Sequence, residues 1–237
     1  MRQAIALVPL GDDDVPDTAG ALARVNGVTL LAHAVRRLVD SGCVDRIVIA
    51  GPHATPSGPD LGLDPDSAVS VLVTSGNADR IESARCALRR ADPRPSDVVL
   101  IHDPVRPFTP PETIRAVVAA VRDGALVAVP VEPVTDTVKV LDASGDVLHT
   151  LDRDRLRRAQ SPRGFSAALL DHADLSEVFL LTGAAASACP VPGHPHGMRV
   201  STPYERTVAE AVFAQAGERD GDENRSGSRR SPHRAGA

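Results

Sequence analysis

Two kinds of hydrophobic pattern alternate along the first 131 residues. Short continuous apolar runs are typical of strands buried on both faces, and longer segments with apolar residues at helical spacing are typical of helices. The predicted strands are 4–8, 46–50, 69–73, 97–101 and 125–131, and the predicted helices are 28–39, 80–91 and 110–122. This βαβ rhythm predicts an α/β fold with a doubly wound, mostly parallel sheet.

The pattern changes after the fifth predicted strand. Segments 137–141 and 147–151 flank a polar turn with Gly145, which predicts a β-hairpin. A hairpin inserted into a parallel sheet tends to project from it, and projecting hairpins often form contacts between subunits. We therefore expect an arm over residues 134–156 and a homodimer that forms through this arm.

The C-terminal part of the chain is predicted to complete the same domain. Residues 197–200 predict a short strand, and residues 203–216 predict a final helix. Residues 1–216 are thus expected to form a single domain. Residues 217–237 contain no aliphatic residue except Ala, so we predict a disordered tail.

Composition narrows the class of protein. The sequence is 42% hydrophobic and 24% charged, and its net charge of −5 argues against nucleic acid as a partner. The cysteines Cys43, Cys86 and Cys189 show no CxxC spacing, which favours a reducing, cytoplasmic location without disulfides or zinc. No apolar run reaches about 18 residues, so we expect no membrane span.

The segment after the first strand has an unusual charge for its position. In α/β nucleotide-binding folds this loop commonly binds phosphate through glycine N–H groups and a Lys or Arg. Here Pro9–Gly20 contains four aspartates, and no Lys or Arg lies between Arg2 and Arg24. Such a loop is expected to repel phosphate.

Three later segments carry a specific combination of polar residues. Residues 98–108 read VVLIHDPVRPF, residues 136–139 read DTVK, and residues 150–165 read TLDRDRLRRAQSPRGF. In this order and spacing they resemble the 2-C-methyl-D-erythritol 4-phosphate cytidylyltransferase family, whose segments read roughly HDAARPF, DTxK and TxDRxxLxxAQTPQxF. Residues 75–83 and 197–203 are similar to the family segments GGxxRxxSV and NIKxTxP. The resemblance therefore extends over the predicted domain.

This resemblance implies a Rossmann-like nucleotidyltransferase fold and a reaction. An oxygen of 2-C-methyl-D-erythritol 4-phosphate, a phosphorylated polyol, attacks the α-phosphorus of CTP, which forms the cytidine diphosphate product and releases pyrophosphate. Such in-line displacement depends on positioning, on Mg²⁺ and on cationic side chains that stabilise the phosphoryl charge. The resemblance also implies Mg²⁺ as the cofactor and a homodimer in which the hairpin reaches the partner subunit.

The resemblance further implies roles for individual residues. The implied catalytic residues are Asp103, Arg153 and Arg199, and Asp103 is also the implied Mg²⁺ ligand. The implied nucleotide-binding residues are Gly11, Gly76, Asn77, Ser83 and Asp103. The implied acceptor-phosphate residues are Arg106, Thr137, Arg153, Thr182 and Arg199.

Simpler structural roles remain open for several of these residues. Asp103 follows a strand at the edge where α/β sheets bind ligands, but an Asp there can also cap a turn. Arg106 can hold a phosphate bidentately or form a buried ion pair. Arg199 stands where the family has Lys, so the charge is kept while the geometry changes. His102 is expected to be a packed or turn histidine and not a base.

Three functions remain open because of the first loop. The family pattern AAGxGxRxGxxxPK supplies an Arg and a Lys that stabilise the transition state, and no register of this loop supplies either. Loss of one such group typically costs about 10²–10³ in rate, so the first hypothesis is a cytidylyltransferase of impaired activity. The second is a catalytically degenerate relative with a binding or regulatory role. The third is a nucleotidyltransferase with other substrates.

Overall fold

Strands and helices alternate along the first half of the chain, as the hydrophobic pattern predicts. The computed structural model describes residues 2–11, 20–51, 61–64, 66–77 and 79–212. The strands are β1 (Ala4–Pro9), β2 (Arg24–Val25), β3 (Val28–Thr29), β4 (Arg46–Gly51), β5 (Ser70–Ser75), β6 (Val98–Ile101), β7 (Val127–Pro133), β8 (Lys139–Leu141), β9 (Val147–Thr150), β10 (Arg157–Ala159), β11 (Arg163–Ser166) and β12 (Cys189–Pro192). The helices are α1 (Leu30–Asp40), α2 (Arg80–Ala91), α3 (Pro111–Arg122), α4 (Ala167–Leu170), α5 (Leu175–Leu180) and α6 (residues 203–212).

Strand β1 lies in the middle of the large sheet. Neighbouring strands follow the order β10-β7-β11-β6-β1-β4-β5, and β12 also pairs with β7. The pairs of β1 with β4, β1 with β6, β4 with β5, and β12 with β7 are parallel. Strands β10 and β11 run antiparallel to their partners. The doubly wound, mostly parallel α/β sheet is thus confirmed.

Alternate side chains of β1 enter two different parts of the core. Ala4, Ala6 and Val8 pack with residues of α1 and α3, whereas Ile5 and Leu7 pack with residues of α2, α4 and α5. All five side chains are buried. Because helices cover both faces of the sheet, the strand has an unbroken apolar sequence.

The strand order places a crevice at one edge of the sheet. From β1 the chain passes through α1 to β4 and then to β5, and α2 carries it back to β6 on the other side of β1. In doubly wound sheets, ligands bind at the carboxyl ends of the strands where the winding changes direction. Pro9 at the end of β1 and His102 directly after β6 lie at this point.

The predicted hairpin forms a small sheet of its own from β8 and β9. Lys139 Nζ donates a hydrogen bond to Thr150 Oγ1 across the pair at 2.6 Å. Three apolar side chains of the hairpin, Leu141, Val147 and Leu148, are 54%, 60% and 60% exposed. The hairpin therefore presents apolar surface outside the large sheet.

The prediction of a strand at residues 197–200 is wrong. Pro195–Gly197 form a 3₁₀ turn, and residues 198–200 have no regular structure. Val200 is nevertheless buried, and its N–H donates to the Val105 carbonyl at 2.7 Å. The apolar character of this segment thus reflects packing of single residues and not a sheet.

The sequence pattern also misses β10, β11, β12, α4 and α5. These elements have three to six residues each, which is too short for a readable hydrophobic period. Most of the acidic first loop, the end of the predicted final helix and the predicted tail at 217–237 lie outside the described residues. No helix within the described ranges has the length and apolar character that crossing a membrane requires.

Candidate active site

A cavity of about 240 Å³ opens at the carboxyl ends of β1 and β6. Apolar residues, among them Phe165 and Val178, form part of its lining. The charged residues that line it are Asp103, Arg80, Arg106, Arg163 and Arg199. A site with this excess of positive charge is suited to an anion.

Asp103 connects three parts of the cavity wall. Its Oδ1 accepts a hydrogen bond from Arg80 Nη1 at 3.1 Å, and its Oδ2 accepts one from Arg199 Nη1 at 2.8 Å. The backbone N–H of Val105 also donates to Oδ1, at 3.3 Å. Asp103 therefore caps a turn and faces the cavity at the same time, so the two roles considered from the sequence are compatible.

Backbone carbonyls hold Arg106. Its Nη1 donates to the Gly197 carbonyl at 2.6 Å, and its Nη2 donates to the Ala159 carbonyl at 3.4 Å. Burial lowers the pKa of Arg106, and the charge of Asp103 opposes this effect. Within the described ranges, Arg106 forms no ion pair with a carboxylate. The buried ion pair considered from the sequence is thus not seen there, and the guanidinium keeps its charge for a ligand.

The loop that leads to Arg199 is fixed by Gln160. The buried Gln160 amide donates to Glu132 Oε2 at 2.6 Å and to the His194 carbonyl at 2.8 Å, and it accepts from the His194 N–H at 2.9 Å. A Cβ atom at Gly193 would lie 2.6 Å from Gln160 Oε1, and one at Gly197 would lie 2.8 Å from it. The loop therefore packs directly on the amide.

His102 is a buried neutral residue beside the cavity. Its Nδ1 lies 3.0 Å from Ser161 Oγ, which also accepts a hydrogen bond from the Asp103 N–H at 2.8 Å. Burial lowers the pKa of His102 to about 4, although the charge of Asp103 partly opposes this effect. His102 is therefore a packed histidine, as the sequence predicts, and it helps to fix the start of the Asp103 turn.

Gly76 and Asn77 directly follow β5, and Ser83, in the first turns of α2, is hydrogen-bonded to Asn77. The Asn77 N–H donates to Ser83 Oγ at 2.9 Å, and Ser83 Oγ donates to the Asn77 carbonyl at 2.8 Å. A Cβ atom at position 76 would lie 2.6 Å from the backbone nitrogen of Gly51, so this position accepts only glycine without a shift of the backbone. These three residues lie close together but do not line the cavity.

The remaining predicted residues lie apart from the cavity wall. Thr137 and Arg153 are exposed near the hairpin, where Arg153 Nη1 donates to the Thr135 carbonyl at 2.7 Å. Thr182 is exposed just after α5, and Gly11 is buried beyond the end of β1. A single subunit thus brings three of the predicted residues together in the cavity and leaves the others outside it.

Two cavity arginines were not assigned a role from the sequence. Arg80 matches the Arg of the family segment GGxxRxxSV, so this match was the available signal. Arg163 stands where the family segment AQTPQxF has Gln, so no family residue pointed to it. Arg163 therefore becomes recognisable as a site residue only when the strands are assembled.

The fold and the cavity together define a class of protein. A doubly wound sheet with an arginine-rich cavity at its carboxyl edge is suited to a protein that binds nucleotides and phosphoryl groups. The sequence profile of the 2-C-methyl-D-erythritol 4-phosphate cytidylyltransferase family matches residues 15–215. The chain belongs to this family.

Individual relatives agree with the family match. The 2-C-methyl-D-erythritol 4-phosphate cytidylyltransferase of Saccharopolyspora erythraea is 42% identical over 223 residues, which cover 89% of this chain and 99% of the relative. That of Frankia casuarinae is 38% identical over 205 residues, which cover 84% of this chain and 75% of the relative. These matches include most of the described residues.

Solved structures share the fold. A crystal structure of 4-diphosphocytidyl-2C-methyl-D-erythritol synthase superposes with a TM-score of 0.72 at 24% identity, and it covers 90% of this chain and 99% of its own. The cytidylyltransferase structure from Thermus thermophilus gives a TM-score of 0.69 at 24% identity, and the match covers 88% of this chain and 98% of the Thermus thermophilus chain. At this level of identity the likeness concerns the fold alone.

We predict that His102 makes the protein sensitive to acid. The unfolded chain binds a proton at His102 near pH 6.5, whereas the folded chain does so only near pH 4, so stability is lost as the pH falls through this window. Between pH 7.5 and pH 5.5, protonation of this residue is expected to lower the free energy of unfolding by about 1 kcal/mol. Urea unfolding of the wild type and of His102→Gln at both pH values measures it.

His172→Gln is the control, because His172 is exposed and outside the cavity. We expect this variant to retain the pH dependence of the wild type. In His102→Gln, the difference in the free energy of unfolding between pH 7.5 and pH 5.5 should be smaller than in the wild type by about 1 kcal/mol. An NMR titration of the wild-type imidazole provides a second measurement that does not depend on a stable variant. A His102 pKa near 6.5 in the folded protein would contradict the prediction.

Proposed function

We propose that this chain transfers a cytidylyl group from CTP to 2-C-methyl-D-erythritol 4-phosphate and releases pyrophosphate, with lower activity than its relatives. The observation that carries the proposal is the group of Asp103, Arg106 and Arg199 around one cavity, in a chain that matches the family over residues 15–215. In the reaction, a phosphate oxygen of the acceptor forms a bond to the α-phosphorus of CTP. The bond from the α-phosphorus to the pyrophosphate oxygen breaks, and the electron pair leaves with pyrophosphate.

The arginines of the cavity have a clear task in this reaction. The phosphates of both substrates bring several negative charges together, and guanidinium groups bind phosphate oxygens with directed hydrogen bonds. Arg106 is fixed by carbonyls and Arg199 is fixed by Asp103, so both charges are positioned before the substrates bind. Positioned charges of this kind lower the barrier because they need little reorganisation during the reaction.

We propose Asp103 as the protein ligand for Mg²⁺. Among the described residues, Asp103 is the carboxylate that lines the cavity, and no cluster of three or more His, Cys, Asp or Glu side chains that could hold a metal is found. This fits Mg²⁺, which keeps several waters and is usually held by one or two carboxylates and by substrate phosphates. Bound there, Mg²⁺ would neutralise charge on the phosphoryl oxygens.

A pyrophosphate-release assay with CTP, methylerythritol phosphate and Mg²⁺ tests the proposal. We expect measurable turnover by the wild type and a loss of about 10²–10³-fold in Asp103→Asn, because a charged group at the reacting phosphates is removed. Asp123→Asn, an exposed substitution at the end of α3, is the matched control and should keep wild-type activity. Absence of turnover in the wild type would contradict the proposed activity.

The acidic first loop supports the lower activity. Where the family pattern has an Arg and a Lys, Pro9–Gly20 has four aspartates and no cation. Like charge near a triphosphate weakens binding, and loss of the two cations removes stabilisation of the transition state. The same observation favours a second candidate function, in which the chain binds a phosphorylated ligand without catalysing transfer.

A loop exchange separates these two functions. Residues 11–20 are replaced by the family pattern with its glycines, Arg and Lys, and we expect kcat/KM to rise about 10²-fold or more. The control exchange has the same glycines but Ser in place of Arg and Lys. Equal activity of the two exchanges would show that the missing cations do not limit the reaction. If neither exchange has activity but the wild type binds CTP in a thermal-shift assay, the binding function is favoured.

We also propose a homodimer that forms through the hairpin, in the cytoplasm. A two-stranded hairpin is marginally stable alone, and this hairpin exposes Leu141, Val147 and Leu148. Arg153 and Thr137 lie nearby and outside their own subunit's cavity, so a second subunit could use them. The three free cysteines fit a reducing compartment.

Light scattering after size-exclusion chromatography tests the dimer. We expect a dimer for the wild type and a monomer for Leu148→Asp, because a charge on the apolar face of the hairpin opposes its burial. Leu126→Asp is the control, since Leu126 is 59% exposed but lies outside the hairpin. A monomeric wild type, or a dimeric Leu148→Asp with wild-type affinity, would contradict the proposal.

A further inference from the structure

The positive charge of the cavity exceeds what its own carboxylate can balance. Four arginines line the wall. Among the described residues, Asp103 is the acidic residue that lines it. Asp103 forms ion pairs with Arg80 and Arg199. Within the described ranges, Arg106 and Arg163 have no such ion pair. Two partly buried guanidinium groups thus lie in one cavity without a direct ion pair to any of the described carboxylates.

Strand pairing fixes the position of Arg163. It is the first residue of β11 and lies opposite Ile101, the last residue of β6, in the antiparallel register. Asp103 follows two residues later, so Arg163 lies beside the acidic residue of the site. Its Nη1 donates to the carbonyl of Phe179, which anchors the guanidinium against α5. The side chain is half-buried and lines the cavity.

The charge of Arg163 acts on Arg106. Burial lowers the pKa of Arg163, and the charge of Asp103 raises it. Burial also lowers the pKa of Arg106, and the nearby charges of Arg199 and Arg163 lower it further. Placing like charges together in a partly dehydrated site costs free energy, and an anion between them removes this cost. A phosphoryl group has the charge and the geometry for this role.

Arg163 is a departure from the family pattern. Gln stands at this position in the family pattern AQTPQxF, and this chain has Arg there and no cation in its first loop. We propose that Arg163 binds a phosphoryl group of a substrate and supplies part of the positive charge that the first loop lacks. This inference rests on the site of the proposed function, but it concerns binding and can be tested without turnover.

Thermal shift in buffer with Mg²⁺ is the first test. CTP, inorganic pyrophosphate and methylerythritol phosphate are the probes, added separately to the wild type, Arg163→Gln, Arg163→Lys and Arg46→Gln. Arg163→Gln restores the family residue, and each variant is compared with its own Tm without probe, so a loss of stability does not affect the result. Arg46→Gln is the matched control, because Arg46 is half-buried and its Nη1 donates to the Ala91 carbonyl outside the cavity.

We expect Arg163→Gln to weaken the binding of at least one probe about 10- to 100-fold, the range for loss of a hydrogen bond to a charged group. Arg163→Lys should recover part of the shift, because it keeps the charge but not the two-pronged geometry. Arg46→Gln should bind as the wild type does. Loss with CTP and pyrophosphate assigns the nucleotide phosphates, whereas loss with methylerythritol phosphate alone assigns the acceptor phosphate.

Steady-state kinetics provide the second test and separate the two proposals. We expect KM for the affected substrate to rise in Arg163→Gln by a similar factor while kcat changes less. If the wild type shows binding that Arg163→Gln loses but no turnover, the inference about Arg163 stands and the proposed activity fails. If Arg163→Gln binds every probe as tightly as the wild type, or if no probe shifts the wild type, the inference about Arg163 is overturned, whatever the activity.

Discussion

The carboxylate of Asp103 is the contact on which the rest of the site depends. It binds Arg80, which lies 23 residues earlier at the start of α2, and Arg199, which lies 96 residues later. Both hydrogen bonds are charge-assisted and partly shielded from water, since the Asp103 side chain is only 19% exposed. Arg106 and Arg163 are held by backbone carbonyls, whereas Arg80 and Arg199 are joined through Asp103. One acidic residue therefore links two of the four arginines that give the cavity its positive charge.

Much of the fold can be predicted from the sequence because the central strands are buried on both faces. Continuous apolar runs identify β1, β4, β5, β6 and β7, and helical spacing places α2 at its observed bounds. The same pattern fails where an element is short. Strand β11 contains Arg163 and Gly164, and it is a strand because β6 and β7 pair with it on both sides. Local sequence does not contain that information.

Some residues of the site, too, can be predicted from the sequence, whereas another is found only in the structure. Asp103, Arg106 and Arg199 are found by resemblance because they occupy positions that the family pattern marks. Arg163 occupies a position where the pattern has Gln, and only the register with Ile101 brings it to the cavity. Compared with the family pattern, this chain has one additional cation in the cavity, Arg163, and it lacks the Arg and the Lys of the first loop. The two changes have opposite effects on the charge that a phosphorylated substrate meets.

Gln160 has a consequence for how this family member can vary. Its amide touches the loop so closely that a side chain at Gly193 or Gly197 would collide with it. The same amide reaches Glu132, which also forms an ion pair with Arg158 on the strand edge. These contacts join three separate segments of the chain, and a larger residue at Gly193 or Gly197 would require the Gln160 amide to move. Over evolutionary time, substitutions in these three segments are expected to occur together, even while the sequence of the acidic first loop diverges.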